Sequence, residues 1–192
     1  MTMQMQASRQ ISASPDKVWR ALNDPTILRS CIPGCDSFEP DGENRYAVSA
    51  AIRIGPVSAR FSGTVTLADI VEGVSYSLSF DASGGVAGFG KGRAEVALSP
   101  ADGGTTLTYA VKSQIGGKLA QLGQRLIDGA AKSMADDFFR RFEQAVQTQE
   151  QAASGSASDL PPADVARKGP SWIWLAGLAA AVAVVVSLMA GR

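Results

Sequence analysis

Cys31 and Cys35 are the only thiols in the chain, and they stand in the run Cys-Ile-Pro-Gly-Cys. That spacing misses the CxxC pattern of dithiol redox sites. With no histidine among the 192 residues, nothing completes a zinc site either. The absence of histidine also removes the commonest general base and the usual catalytic triads. Pro33-Gly34 between the cysteines predicts a turn, and a redox role would require loss of activity when either cysteine is replaced by serine.

The glycine-rich stretch from Gly85 to Gly92, with Lys91 inside it, approaches a phosphate-binding loop. It fails the pattern because Gly92 stands where a Ser or Thr should hold magnesium, and because a strand pattern follows where a helix is needed. A hairpin loop is expected, with Phe89 as an apolar lid over a pocket mouth. Tyr46, Tyr76 and Tyr109 fall at inward positions of alternating segments. A buried tyrosine hydroxyl needs a partner, so each could meet a ligand carbonyl or serve as an ordinary core residue. Asp136 and Asp137 beside Arg140 and Arg141 read as a solvated helix face.

Composition narrows the classes further. Lys+Arg and Asp+Glu are both 18, giving no net charge, whereas nucleic-acid binders carry a basic surface; no nucleic-acid partner and no metal are expected. No signal-peptide pattern is read in residues 1–14, so the folded part is expected in the cytoplasm with its thiols reduced.

The strongest single feature is the run from Trp172 to Ala190, which carries no charge. As a helix it would span about 28 Å, close to the hydrocarbon thickness of a bilayer. Trp172 and Trp174 suit the headgroup boundary, and Arg167 and Lys168 before the run outnumber Arg192 after it, which predicts a cytoplasmic N-terminal side. Residues 149–171, rich in Ala, Ser and Pro, read as a flexible linker. The expected organisation is a folded domain over 1–148, the linker, and a single transmembrane anchor over 172–190 in the cytoplasmic membrane.

The elements that must position the domain's residues follow from periodicity. Apolar residues alternate through Tyr46–Ile54, Phe61–Leu67, Val74–Phe80, Ala94–Leu98 and Leu107–Ile115, separated by turn residues, which predicts antiparallel strands with one wet face. Met3–Ile11 is a plausible first strand. Ser14-Pro15 and Asp24-Pro25 open two short helices. From Gly117 to about Gln147 a long helix is expected, with Leu119, Leu122, Leu126, Ala130, Met134, Phe138 and Phe142 as its inward stripe. A one-faced sheet needs a cover, and this helix is the long element available. The fold class is therefore α+β, an antiparallel sheet wrapped around a long C-terminal helix.

Small residues stand at expected inward positions, namely Ala7, Ala50, Gly63, Ala82 and Ala94, and Gly123 and Gly129 fall in the long helix. They fit close packing of helix on sheet and an apolar cavity equally. If a cavity exists, alternation and helical spacing nominate its wall: Ile52, Phe61, Val65, Leu78, Phe80, Phe89, Tyr109, Ile115, Leu119, Leu122, Leu126 and Met134.

Three stretches carry a family likeness: Asp24-Pro25 leading to Cys31–Cys35, the Phe61-Ser-Gly-Thr-Val strand, and Gly116–Ile127 running on to Phe138-Phe139. Together they resemble the carbon monoxide dehydrogenase CoxG family, within the START/polyketide-cyclase-like superfamily, whose helix-grip fold encloses a hydrophobic pocket. The resemblance covers about residues 1–147. It implies a non-catalytic accessory protein that recruits a molybdenum hydroxylase of carbon monoxide dehydrogenase type to the cytoplasmic membrane. It also implies a bound respiratory quinone, menaquinone or ubiquinone, as a lipophilic ligand. The alternative is a membrane-docking adaptor with a filled core and no ligand.

Overall fold

The computed structural model describes residues 1–155, with side chains described for residues 1–148. In chain order the elements are β1 (Thr2–Ile11), α1 (Pro15–Leu22), α2 (Pro25–Cys31), β2 (Cys35–Pro40), β3 (Arg45–Ile54), β4 (Val57–Val71), β5 (Ser75–Ser83), β6 (Phe89–Ala101), β7 (Gly104–Gly116) and α3 (Gln124–Gly155). The strands form one antiparallel sheet in the order β1-β7-β6-β5-β4-β3-β2. Hairpins join β2 through β7 in sequence, while the α1–α2 pair carries the chain from β1 at one edge to β2 at the other.

Period-2 burial holds along the strands, as in β3, where Tyr46, Val48, Ala50, Ile52 and Ile54 are buried and residues between them are not. The inner face so defined is closed by α1, α2 and α3. Asp24 caps α2, its carboxylate accepting from the Thr26 and Ile27 amides at 2.8 and 3.4 Å. Ser14 occupies the corresponding position before α1 but makes no side-chain cap; Pro15 alone sets the start of that helix. A buried bond from Thr105 Oγ1 to the Ala13 carbonyl, 2.7 Å, ties the β1–α1 link to β7.

Three expectations are corrected. β2 falls on a segment whose Glu39 and Pro40 obscure the alternation, and Pro40 is tolerated because this is an edge strand. The long helix starts at Gln124, later than expected, because Gly123 takes φ +87° and breaks the chain direction after a short 3-10 turn over Ala120–Leu122. Its buried stripe is consequently Ile127, Ala131, Ala135, Phe138, Phe142 and Val146. Phe138 and Phe142 agree with expectation, whereas the first half is rotated by one residue. The same helix continues through Gly155, so the first residues of the expected linker are helical. Among the described residues no helix is long and apolar enough to cross a membrane; the run 172–190 and the rest of the linker lie outside them.

Candidate functional site

Strand register makes the inner wall of the sheet a ladder of side-chain rows. Nearest the β5–β6 loop, one row reads Val48, Gly63, Ala82, Gly90, Ile115 across β3 to β7. The next reads Tyr46, Val65, Phe80, Gly92, Ser113, Met3. Farther along come Leu67, Leu78, Ala94, Val111, Met5, and then Tyr76, Val96, Tyr109, Ala7. The inward glycines, Gly63, Gly90 and Gly92, thus fall in the first two rows, where they alternate with Tyr46, Phe80 and Met3.

Side-chain size changes along the helix. Its first turn lies beside the β3–β4 hairpin, where a Cβ on Gly55 would sit 3.4 Å from Leu126 Cδ2. From there the buried residues are Ile127, Ala131 and Ala135, followed by Phe138, Phe139, Phe142 and Val146. Phe139 stacks on Tyr109 with centroids 5.4 Å apart, and Phe138 packs against both Phe139 and Phe142. These aromatic contacts fix the second half of α3 over the row that holds Tyr109. The first half carries alanines, Ala131 and Ala135, at its buried positions.

Within the glycine-bearing rows stands one buried hydroxyl without a partner. Ser113 is 2% exposed, and its hydroxyl has no hydrogen-bond partner. Its neighbours in the register are Gly92 and Met3, and Val111 and Ile115 flank it along β7, so its surroundings are apolar. A buried hydroxyl left unpaired costs about 1–3 kcal/mol, and a ligand oxygen placed here would remove that cost. Periodicity had a signal for it: Ser113 interrupts the inward series Leu107, Tyr109, Val111, Ile115.

Arg9 is the second polar residue that alternation placed inward without notice. It ion-pairs with Asp136 of α3, lies 5.5 Å from the Phe139 ring centroid and hydrogen-bonds Tyr109. Burial pushes the Tyr109 phenol up, with Arg9 acting in the opposite sense. The Tyr109 hydroxyl is therefore engaged within the protein. Burial also raises the Tyr46 phenol, whose ring lies 5.1 Å from Phe38.

The Cys31–Cys35 segment is structural in form. Both thiols are free; burial raises Cys31, and burial as the largest cause pushes Cys35 up to about 11. Protonated thiols are poor nucleophiles. Between them Gly34 adopts φ +72°, and its carbonyl accepts from the Ala51 amide at 2.8 Å, pinning the turn to β3. Among the described residues no group of three or more Cys, Asp or Glu side chains is placed to hold a metal ion.

Of the nominated wall, Ile52, Phe61, Val65, Leu78, Phe80, Tyr109, Ile115 and Leu119 are buried. Leu122 and Met134 are half-buried. Phe89 and Leu126 are corrected: they are 45% and 43% exposed. Phe89 is the first residue of β6 rather than part of the loop, and since Gly90 takes the inward place its ring lies on the outer face, over its cross-strand neighbour Gly116. Leu126 turns outward because α3 presents Ile127 to the core. Gly129 is exposed and Gly123 precedes the helix, so neither brings helix and sheet together.

Two hollows open at the surface. One of ≈ 580 Å³ lies on the sheet's outer face among Gln4, Thr64, Ser79, Lys91 and Lys112, and is bordered by Phe80, Gly92 and Ser113 as well. Another of ≈ 1110 Å³ lies beside Trp19, Arg20, Thr26 and Glu72. Inside, the rings of Phe61 and Phe80 occupy the space that a side chain at Gly84 and Gly92 would need.

Residues 8–147 match the carbon monoxide dehydrogenase CoxG family. No curated protein matches the chain. Among solved structures, it is similar to a conserved protein from Geobacillus kaustophilus at 32% identity, covering 76% of this chain and 96% of that one, with a TM-score of 0.73. It is also similar to the Zhui aromatase/cyclase from a Streptomyces species at 11% identity, covering 80% and 98%, with a TM-score of 0.59. At that identity the second likeness concerns the fold alone.

Proposed function

The chain belongs to the carbon monoxide dehydrogenase CoxG family, and from that premise we propose that it is a non-catalytic carrier which holds a respiratory quinone between the sheet and α3. Membership associates the protein with carbon monoxide dehydrogenase. The finer proposal is that the uncharged run 172–190 anchors it in the cytoplasmic membrane, where it couples a molybdenum hydroxylase of that type to the quinone pool.

One observation carries the ligand reading. A single unpaired hydroxyl, that of Ser113, is buried opposite Gly92 and one row from Gly63, Ala82 and Gly90, and α3 carries small residues, Ala131 and Ala135, at buried positions. A quinone needs apolar walls for its ring and tail and a donor for a carbonyl. These residues offer both. Binding requires the rings of Phe61 and Phe80 to swing off Gly84 and Gly92, which changes rotamers without moving the strands.

Those same two rings favour a second reading, an adaptor whose core is filled and which carries nothing. Reconstitution separates the two. Vesicles containing quinone and the full chain receive purified carbon monoxide dehydrogenase, and carbon monoxide-dependent quinone reduction is followed. The carrier reading expects reduction to depend on the chain and to fall when Ser113 is replaced by alanine with enzyme recruitment unchanged. Recruitment without any chain-dependent quinone reduction would leave the adaptor.

A further inference from the structure

Six large apolar side chains are conspicuously exposed among the described residues: Met1, Val71, Val74, Val86, Phe89 and Leu126. Four of them share one end of the molecule. Met1 precedes β1 and pairs with Ile115 near the end of β7, Val86 lies in the β5–β6 loop, Phe89 pairs with Gly116, and Leu126 sits beside the β3–β4 turn at Gly55. Val86, at 87%, is the most exposed of the six. This is the end toward which the rows bearing Gly63, Gly90 and Gly92 lie.

Charge is divided along the same axis. At this end Arg53, Arg60, Lys91, Lys118 and Arg125 are exposed, with Asp36, paired with Arg60, Asp81, opposite Lys91 in the register, and Asp128 as acids. Toward the far end, α1, the turns and the strand ends carry exposed Asp16, Asp41, Glu43, Asp69, Glu72 and Asp102 against Lys17, Arg20 and Arg45, while Arg93, Glu95 and Lys112 lie between the two ends. Arg45 is paired with Asp41, and Arg93 with Asp69. A chain of zero net charge therefore presents one basic, apolar-tipped end and one acidic end.

We infer that the end bearing Met1, Val86, Phe89 and Leu126 is a docking face for an anionic lipid bilayer. Protruding apolar side chains ringed by Lys and Arg are what an interfacial segment requires: the tips enter the acyl boundary and the cations meet lipid phosphates. The acidic far end is repelled from the same surface, so the field orients the domain as well as attracting it. Docked this way, the glycine-lined end of the interior faces the bilayer, and an apolar ligand can cross without traversing water. The inference rests on the membrane association proposed above and not on the presence of a ligand.

The test uses the full chain with Val86→Cys or Val74→Cys labelled by an environment-sensitive NBD fluorophore, the unsubstituted chain serving as the control for labelling of Cys31 and Cys35. Vesicles are phosphatidylcholine with or without a quarter phosphatidylglycerol, and co-sedimentation is measured in parallel. The expected result is a blue shift and at least roughly twofold brightening at position 86 on anionic vesicles, quenched by brominated acyl chains, with little change at 74. Lys118→Glu with Arg125→Glu should weaken that docking about tenfold while leaving sedimentation of the anchored chain intact. Co-sedimentation without a response at 86, or equal responses at 86 and 74, overturns the docking face but leaves membrane association standing. A response at 86 that appears only with added dehydrogenase makes this face a protein interface and also overturns it. Failure to co-sediment removes both readings.

Discussion

Ser113 stands directly opposite Gly92 across the β6–β7 ladder, a buried hydroxyl beside a residue with no side chain. Packing requires the glycine, but it does not account for the hydroxyl. A larger residue at 92 would meet Lys112 and the Phe80 ring, and an apolar residue at 113 would spare the domain an unpaired polar atom.

Replacing Ser113 by alanine should accordingly leave the ligand-free protein as stable as before, or about 1 kcal/mol more stable, since an unsatisfied buried hydroxyl is removed. Quinone affinity should fall about five- to tenfold through loss of one hydrogen bond. Thermal unfolding and quinone titration of the same variant check both halves. A destabilised protein with unchanged affinity would place Ser113 in ordinary packing.

Gly34 and Gly73 make a controlled pair. Their φ angles are +72° and +73°, yet a Cβ on Gly34 would collide with the Ala51 carbonyl oxygen, whereas nothing lies within 4 Å of one on Gly73. Gly73→Ala should cost about 1 kcal/mol, the strain of the left-handed backbone alone. Gly34→Ala adds a backbone clash and loosens the turn joining α2 to β2, and should cost about 3 kcal/mol or more. Denaturant unfolding of the two variants measures the difference.

Alkali should destabilise the fold. Cys31, Cys35, Tyr46 and Tyr109 are all raised, chiefly by burial. Each binds its proton more tightly folded than unfolded, so the stability this gives is present below the unfolded pKa and is lost as pH rises through the folded one. For Cys35 that window runs from the ordinary thiol value of 9.0 to about 11. Melting temperature should fall across this range, and Cys35→Ser should make the fall shallower. An unchanged slope in that variant would show the thiol to be solvated.

Much of the architecture was legible because inward and outward residues alternate cleanly along β3 to β7, and because Asp24-Pro25 is an unambiguous helix start. The phase of α3 was not legible from its leucines. Leu119 and Leu122 belong to a separate turn, and only the backbone angle at Gly123 reveals where the helical count begins. Phe89 was misplaced for a similar reason: one residue of strand boundary reverses the face. The hydroxyl of Ser113 and the guanidinium of Arg9 escaped because apolar alternation discards polar residues at inward positions, which are the positions where a ligand would need them. Charge segregation escaped because it belongs to the folded arrangement of the turns, while the sequence as a whole sums to zero.

The carrier reading turns on whether a quinone resides between the sheet and α3. The full chain and an Ala131→Phe variant, whose ring would add bulk to the buried face of α3, are purified in the same detergent, and their solvent extracts are assayed for quinone. About one quinone per wild-type chain, with almost none on a variant that still unfolds cooperatively, is the expected result. Wild-type protein that yields no quinone, and takes up neither menaquinone nor ubiquinone when offered them, would contradict it.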